Sequence, residues 1–125
     1  MNFCGIQVAR KTALPRRARP GNFLFAIDDL TDAGIEVLNP IQPECNDLRR
    51  IKEKYGDRFS FWGGIGVQSE MPHGTPEDVR RAVRETSAIL GRDGGLLLAP
   101  AHILDLSVPW EHVEAFIDAA RRVGD

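Results

Sequence analysis

Residues 75–99 read TPEDVRRAVRETSAILGRDGGLLLA, and this stretch decides the fold class. Thr75 can cap a helix, Pro76 suits its first position, and the two acidic residues that follow complement the positive end of the helix dipole. Apolar residues then recur at helical spacing as far as Gly91. The uninterrupted apolar run 96–99 is typical of a strand that is buried on both faces of a parallel sheet. The stretch therefore predicts a helix followed by a parallel strand.

The same alternation of helices and strands extends to both sides of this stretch. Upstream, we predict strands at 35–38 and 59–62, with Gly34 and Gly56 closing the helices that come before them. Downstream, Pro109 opens a last helix, whose inner face we expect to contain Trp110, Val113, Phe116, Ile117 and Ala120. The order α-β-α-β-α-β-α with short connections predicts an α/β fold built from parallel βα repeats.

The composition is that of an ordinary folded protein. Of the 125 residues, 16 are Lys or Arg and 18 are Asp or Glu, which gives a net charge of -2, and 42% are hydrophobic. These values exclude a disordered, highly charged tail protein. An apolar run of the roughly 20 residues that a membrane helix needs is absent from the sequence. The two cysteines, Cys4 and Cys45, are too few for a disulfide framework and form no CxxC pair, so we expect a cytoplasmic protein in which Cys45 is an unremarkable thiol.

The amino-terminal segment differs from the rest of the chain. Residues 1–27 contain five basic residues and no acidic residue, together with Pro15, Pro20 and Gly21, which disfavour a helix. We predict that residues 1–23 form a basic, poorly ordered leader and that residues 24–125 form the folded domain. Because neither aromatic nor glycine-rich interleaving accompanies the basic residues, we expect no nucleic-acid partner, and we also expect no membrane partner.

Function should lie where the predicted strands end. We expect Asn39-Pro40 to stop the first strand and residues 63–66 to end the second with a flexible bend, and parallel sheets bind ligands at the carboxyl ends of their strands. The strand-end loops are therefore 39–45, 63–75 and 100–108. Their candidate site residues are Asn39, Gln42, Glu44, Cys45, Gly64, Gly66, Gln68, His73, His102 and Asp105.

The histidines differ in what their positions predict. His102 follows an apolar strand, where it could bind a carboxylate or a metal or carry a proton near neutral pH, with a structural hydrogen bond as the alternative. His73 lies in a polar loop and is expected to be solvated, and His112 is expected at the surface or in packing at the barrel base. The glycines of 63–66 lack the lysine of a P-loop and the spacing of a dinucleotide motif. No complete catalytic triad can be assigned.

Seven segments, in this order, resemble the carboxyl-terminal third of uroporphyrinogen decarboxylase family proteins. They are DDL (28–30), AGIEVLNPIQP (33–43), YGDR (55–58), FWGGI (61–65), GTPEDV (74–79), GLLLAPAH (95–102) and VPWEHVEAF (108–116). The resemblance extends over residues 26–124. It implies a TIM (β/α)8 barrel, of which this chain holds the last three βα units and is therefore incomplete.

The resemblance also implies a reaction and a site. The family removes acetate carboxyl groups from a tetrapyrrole in haem biosynthesis without a cofactor, and the protonated pyrrole accepts the electrons as carbon dioxide leaves. His102 matches the histidine after the family's last strand and is our catalytic candidate. Gly64 and Gly66 stand where the decarboxylases tend to have Asn and Asp. We predict no metal and no cofactor, and the predicted substrate-binding residues are Asn39, Gln42, Gly64, Gly66 and Gln68.

The sequence is compatible with three hypotheses about function. The family's arginine-rich motif and aspartate have no counterpart here, which favours a decarboxylase-like fragment that binds a tetrapyrrole but is inactive alone. A second reading is a fragment of a zinc- and cobamide-dependent methyltransferase, although those relatives use a His-x-Cys pair and a last-loop cysteine, where this chain has only His102. A third is a non-catalytic assembly partner. Because three βα units leave open sheet edges, we expect self-association or pairing with a missing half-barrel.

Overall fold

The computed structural model describes residues 7–8 and 27–123 of the chain. The described residues form one four-stranded sheet and five helices. The strands are β1 (Gln7–Val8), β2 (Val37–Ile41), β3 (Ser60–Ile65) and β4 (Leu96–Pro100). The helices are α1 (Ile27–Asp32), α2 (Leu48–Tyr55), α3 (Glu70–His73), α4 (Pro76–Leu90) and α5 (Trp110–Val123).

The sheet has the order β1-β2-β3-β4. Strands β2, β3 and β4 are parallel, with helices between them, which confirms the predicted α/β fold and its three parallel strands. Strand β1, which was not predicted, pairs antiparallel with β2 and comes from the segment predicted to be a leader. The remaining residues of that leader, 1–6 and 9–23, lie outside the described residues, as does Phe25 of the predicted first helix.

Helix α4 forms as its sequence predicts. Thr75 Oγ1 accepts a hydrogen bond from the Asp78 backbone N–H at 3.2 Å, and Asp78 Oδ2 accepts one from the Thr75 N–H at 2.8 Å. This reciprocal arrangement is a capping box, with Pro76 at the first helical position and Gly91 at the end. Both signals are local in sequence, so the helix boundaries follow from these few residues.

The described core consists of two apolar clusters on the helix-covered face of the sheet. The first packs α1 and α2 against β2 and β3, and the second packs α4 and α5 against the end of β3 and α3. Fully burying each large aliphatic or aromatic side chain contributes about 1.5–3 kcal/mol, so these clusters position the strands. The largest fully buried residues are Tyr55, Phe61, Ile27, Leu38, Ile41, Ile51, Ile65, Met71, Leu90, Val79 and Val83.

Strand β2 is longer than its sequence predicts. The expected stop at Asn39-Pro40 is wrong, because the strand continues through a cis peptide bond between these residues and ends at Ile41. The ladder to β3 shifts register between Leu38 and Ile41, which is the kind of irregularity at which a sheet accepts proline.

Strand β3 also continues beyond its predicted end at Trp62. Gly63 and Gly64 lie in the strand with φ angles of +119° and +93°, a region that residues with a side chain rarely adopt. The two glycines bend the strand, as the sequence indicated, but they do not end it, since Ile65 still pairs with Pro100 of β4.

The face of the sheet opposite the helices is open near β4. Trp62 and Leu97 are register partners, and they are 41% and 55% exposed. The prediction that the run 96–99 is buried on both faces is therefore wrong for Leu97, because none of the described residues covers it. In the described part of the chain the outer edge of β4 also has no pairing strand.

Helix α5 buries a different face from the predicted one. Its buried residues are His112, Ala115 and Ala119, which contact α3 and α4. Trp110 and Ile117, expected inside, are 66% and 38% exposed. The remaining predicted residues, Val113, Phe116 and Ala120, are half-buried. The small alanines face inward because α5 packs closely on α4.

Candidate functional site at the carboxyl edge

The carboxyl ends of the parallel strands meet as predicted. A side chain added at Gly63 would lie 3.0 Å from the Ile41 carbonyl oxygen at the end of β2 and 3.6 Å from Ala101 Cα just after β4. The Ala101 N–H donates to the Ile65 carbonyl oxygen at 2.9 Å. We name the three connections that follow β2, β3 and β4, residues 42–47, 66–75 and 101–109, the carboxyl edge.

Glu44 joins the first two of these connections. Its Oε1 accepts a hydrogen bond from the Gln68 backbone N–H at 3.0 Å and another from Ser69 Oγ at 2.8 Å. Glu44 and Gln68, both predicted candidates, therefore meet through a side chain and a backbone group. This contact fixes the loop after β3 relative to the loop after β2.

Ser69 lies between two carboxylates. Its Oγ contacts Glu70 Oε2 as well as Glu44 Oε1. A hydroxyl group carries one hydrogen, so it donates to one carboxylate at a time. A Cβ atom at the buried Gly66 would overlap the side-chain ends of Glu44, Ser69 and Glu70, so a larger residue there would require these three side chains to move. Gly66, which was predicted to bind substrate, lies directly against these three side chains.

Behind this cluster the loop after β2 is buried. Gln42 is 3% exposed and Asn46 is 7% exposed, and Asn46 Nδ2 donates to the Gln42 carbonyl oxygen at 3.1 Å. Asn39 lies within β2 and not in the loop, opposite Gln7 of β1. Substrate binding by Asn39 or Gln42 stays a prediction.

Gly64 contacts a helix. Its carbonyl oxygen accepts a hydrogen bond from Thr86 Oγ1 of α4 at 3.0 Å, and a side chain at Gly64 would lie 2.5 Å from Thr86 Cγ2. The need for glycine here is explained by the close packing of β3 on α4. Contact between Gly64 and a substrate stays a prediction.

His102, His73 and Asp105 are exposed on the carboxyl edge. His102 comes directly after Ala101, which is the residue that places it beside the end of β3. The side chain and backbone of Ser107 both donate hydrogen bonds to Asp105, and these bonds hold the pKa of its carboxyl group below the usual value. A catalytic role for His102 stays a prediction.

The sequence reasoning missed three polar residues at this edge. Ser69 and Glu70 begin a short helix, α3, inside what was expected to be a loop. His112 is buried, and its Nδ1 lies 2.7 Å from the Met71 carbonyl oxygen of α3. A carbonyl oxygen only accepts hydrogen bonds, so Nδ1 carries the proton. His112 is buried by packing and not at the surface, but it packs on α3 at the carboxyl edge, where the sequence analysis expected packing at the barrel base.

Cys45 is disulfide-bonded, so the expectation of an unremarkable thiol is wrong. A single cysteine in a loop gives no sequence signal of its partner, and the chain's other cysteine, Cys4, lies outside the described residues.

The charge of the carboxyl edge is negative. Its three connections contain Glu44, Asp47, Glu70 and Asp105 and neither lysine nor arginine. Within residues 7–8 and 27–123, no group of three or more His, Cys, Asp and Glu side chains is placed to hold a metal ion. None of the helices formed by these residues has the length and apolar character needed to cross a membrane.

Part of the chain is similar in sequence to a known enzyme. Over 77 residues the chain is 30% identical to the uroporphyrinogen decarboxylase of Psychromonas ingrahamii, and the match covers 62% of this chain. No protein-family model matches the chain. The aligned segment is 21% of that enzyme's length, so the chain spans about a fifth of the curated relative that it matches.

Proposed function

We propose that this chain is a segment related to uroporphyrinogen decarboxylase, which contributes the carboxyl edge of the last three βα units of a TIM barrel to a tetrapyrrole site. The proposal is supported by three parallel strands with converging ends, and by the 30% identity to a uroporphyrinogen decarboxylase. In this site His102 faces a substrate side chain, while Gly66 and Gln68 line the adjoining loop. The substrate is a tetrapyrrole with acetate side chains, and the reaction releases carbon dioxide from them.

The charge of the carboxyl edge indicates that this chain needs a partner to hold the substrate. A tetrapyrrole with several carboxylates needs positive groups to hold it, and paired carboxylates without a cation repel each other. The carboxyl edge has four acidic residues and no lysine or arginine. Among the described residues the carboxyl edge supplies no lysine or arginine, so the proposal assigns these cations to a partner polypeptide and expects the chain to be inactive alone.

The open edge of β4 is where that polypeptide would pair. The Gly95 carbonyl oxygen accepts from the Phe61 N–H, and the Ala101 N–H donates to Ile65, so the peptide groups of the odd-numbered residues face β3. Those of Leu96 and Leu98 then point away from the sheet, available for a further strand. The exposed Trp62 and Leu97 beside this edge are apolar surface that a half-barrel would cover.

The experiment is complementation. This chain is co-expressed with the Psychromonas ingrahamii enzyme from which the matching segment has been deleted, and decarboxylation of uroporphyrinogen is followed by separating the oxidised porphyrin products. We expect no turnover from either polypeptide alone and turnover from the pair. His102→Ala in the pair should lower kcat about 100-fold, at the lower end of the effect of general acid–base groups. Arg92→Ala, an exposed change in the loop before β4, is the matched control and should leave kcat unchanged.

Each other outcome contradicts part of the proposal. Turnover by this chain alone would show that the cations are present without a partner. A stable but inactive complex would favour a non-catalytic assembly role, and the absence of any complex would contradict the pairing at β4. No observation on the described residues favours the methyltransferase branch over the decarboxylase branch.

A further inference from the structure

Helix α5 has a second, outward face that none of the described residues covers. Its inward residues, His112, Ala115 and Ala119, are buried. On the opposite side, four exposed residues follow one another at spacings of four, three and four, which places them on one stripe of the helix. We name this stripe the outer face of α5, and it consists of Trp110, Glu114, Ile117 and Arg121.

The outer face contains two charged residues without intramolecular ion pairs. Among the residues that the structure describes, neither Glu114 nor Arg121 forms a salt bridge. The three arginines of the neighbouring helix α4, in contrast, form salt bridges within that helix. Arg80 and Arg84 pair with Glu77, and Arg81 pairs with Asp78. The charges of the outer face are therefore available to a partner, whereas those of α4 are largely satisfied.

The charges change sign along α5. Its acidic residues lie in the first two-thirds, at Glu111, Glu114 and Asp118, and its basic residues, Arg121 and Arg122, lie in the last turn. Two grooves between α4 and α5 have a net charge of the same polarity. The charged residues of the one of about 590 Å³ near the start of α5 are Glu111, Glu114, Asp118 and Arg80, and those of the one of about 460 Å³ near its end are Arg80, Arg84, Arg122 and Asp118. A helix with this polarity is complementary to its own antiparallel copy.

We propose that the outer face of α5 binds the outer face of a second copy of this chain, with the two helices antiparallel about a two-fold axis at Ile117. Glu114 lies three residues before Ile117 and Arg121 lies four residues after it. At 1.5 Å per residue these positions are ~4.5 Å and ~6 Å from the axis, so each Glu114 meets the Arg121 of the other copy. Ile117 packs on its own copy between these two ion pairs.

A second copy fits this face better than an unrelated partner does. The same four residues supply both sides of the contact, which is the property of an isologous two-fold interface. The stripe combines an exposed tryptophan, 66% accessible, with an aliphatic residue and two charges of opposite sign, and interface cores are typically enriched in aromatic residues and arginine. This contact uses residues of neither the carboxyl edge nor β4, so it can be tested on the chain alone, without tetrapyrrole or a half-barrel partner.

The experiment measures the mass of the purified full chain by sedimentation equilibrium at several concentrations. Two charge-reversal variants are compared, Glu114→Arg and Arg121→Glu. Each places two pairs of like charges across the axis, so we expect each to weaken dimerisation about tenfold or more at low salt. Mixing the two variants restores opposite charges at both contacts, and we expect a heterodimer to form with an affinity near that of the wild type. Glu53→Arg on the exposed side of α2 makes the same charge change away from α5 and should have no effect.

The results that overturn the proposal are equally definite. A wild-type chain that stays monomeric at every concentration contradicts it. A dimer that both single variants leave intact also contradicts it, because self-association would then lie at another surface such as the edge of β4. Weakening of the dimer by both variants without recovery in the mixture contradicts it as well. Because all three substituted positions are exposed, thermal unfolding followed by circular dichroism should give the same Tm for the monomeric forms of every variant.

Discussion

Glu44 Oε1 accepts a hydrogen bond from Ser69 Oγ at 2.8 Å, and this contact connects the loop after β2 to the start of α3 after β3. The two residues are 25 positions apart in the sequence. The parallel arrangement of β2 and β3 brings their loops to the same edge of the sheet, so a polar contact between the loops depends on the sheet and also stabilises its geometry. The same Glu44 oxygen also accepts a hydrogen bond from the Gln68 backbone N–H at 3.0 Å, so two groups of the loop after β3 donate to it.

We predict that Glu44→Ala loosens this connection. Two hydrogen bonds are lost at an exposed carboxylate, so the free energy of unfolding should fall by about 1 kcal/mol, as measured by urea denaturation. Hydrogen exchange of the Gln68 amide should become faster, because its acceptor is gone. Glu53→Ala, an exposed glutamate on α2, should change the free energy of unfolding by less than about 0.5 kcal/mol. Equal effects of both substitutions would contradict a specific role of Glu44.

Substitution of Gly64 tests how the backbone conformation and the close packing at this position contribute to stability. At Gly64 an alanine would meet the Thr86 Cγ2 methyl group at 2.5 Å and would also have to adopt a φ angle of +93°. We expect Gly64→Ala to lower the free energy of unfolding by about 3 kcal/mol or more, from backbone strain of about 1–2 kcal/mol and overpacking of about 1–3 kcal/mol.

Two further variants separate these contributions. Gly94 has a similar φ angle of +80°, but a side chain there would meet no atom within 4 Å, so Gly94→Ala should cost only the backbone contribution, about 1–2 kcal/mol. Adding Thr86→Ser to Gly64→Ala removes the methyl group and keeps the hydroxyl donor, and it should recover part of the loss. If Gly64→Ala and Gly94→Ala cost the same, the contact with Thr86 is not what requires glycine.

His112 is predicted to hold α3 against α5 as a hydrogen-bond donor. Its Nδ1 lies 2.7 Å from the Met71 carbonyl oxygen, and the ring is buried. We expect ¹⁵N chemical shifts of the ring to show a proton on Nδ1. His112→Ala should lower the free energy of unfolding by about 2–4 kcal/mol, because it leaves a cavity and an unpaired carbonyl group.

The matched variant for this position is His112→Asn, whose side-chain amide can still donate to the Met71 carbonyl oxygen. It should retain more stability than His112→Ala in the same chemical denaturation experiment. A ring protonated only on Nε2, or equal losses in the two variants, would contradict the proposed hydrogen bond.

Local sequence signals predicted those parts of the structure that depend on neighbouring residues. The start of α4 at Pro76 and its end at Gly91 follow from residues within three positions of the helix ends. Strand β4 was placed correctly because its apolar run is short and bounded by glycine. The extension of β2 to Ile41 could not be predicted, since it depends on the pairing of Ile41 with Gly63 of β3 beyond a register shift, which is a contact between residues distant in sequence.

The candidate site was predictable only in outline, for the same reason. The strand-end rule placed Glu44, Gly66 and Gln68 correctly at one edge of the sheet. It did not identify Ser69 as the group to which Glu44 is bonded, because serines in loops are common and carry no distinctive spacing. The inner face of α5 was predicted only in part: Val113 and Phe116 pack against the core cluster, but Trp110 and Ile117 are exposed, because apolar periodicity alone cannot tell which stripe packs on α4. That choice was decided by Ala115 and Ala119, which are small enough for close helix packing.

The capping box of α4 predicts a stability change with pH. Asp78 accepts hydrogen bonds from the backbone and side chain of Thr75 and is close to Arg81, and these contacts lower the pKa of its carboxyl group below the ordinary value of 3.8. A carboxyl group with a lowered pKa in the folded state stabilises the fold when it is ionised. Its contribution is complete above the pKa of the unfolded chain and is lost as the pH falls through the lower pKa of the folded state.

We therefore expect Asp78→Asn to lower the Tm at pH 7 and to lower it less as the pH falls below about 3.8, where the wild-type carboxyl group also becomes neutral. The measurement is the Tm of the wild type and the variant between pH 2 and pH 7 at constant ionic strength. Asp118→Asn, an exposed change on α5, is the control and should give a Tm difference that changes little over this range. A Tm difference for Asp78→Asn that stays constant down to pH 2 would show that the effect comes from helix propensity and not from the ionised cap.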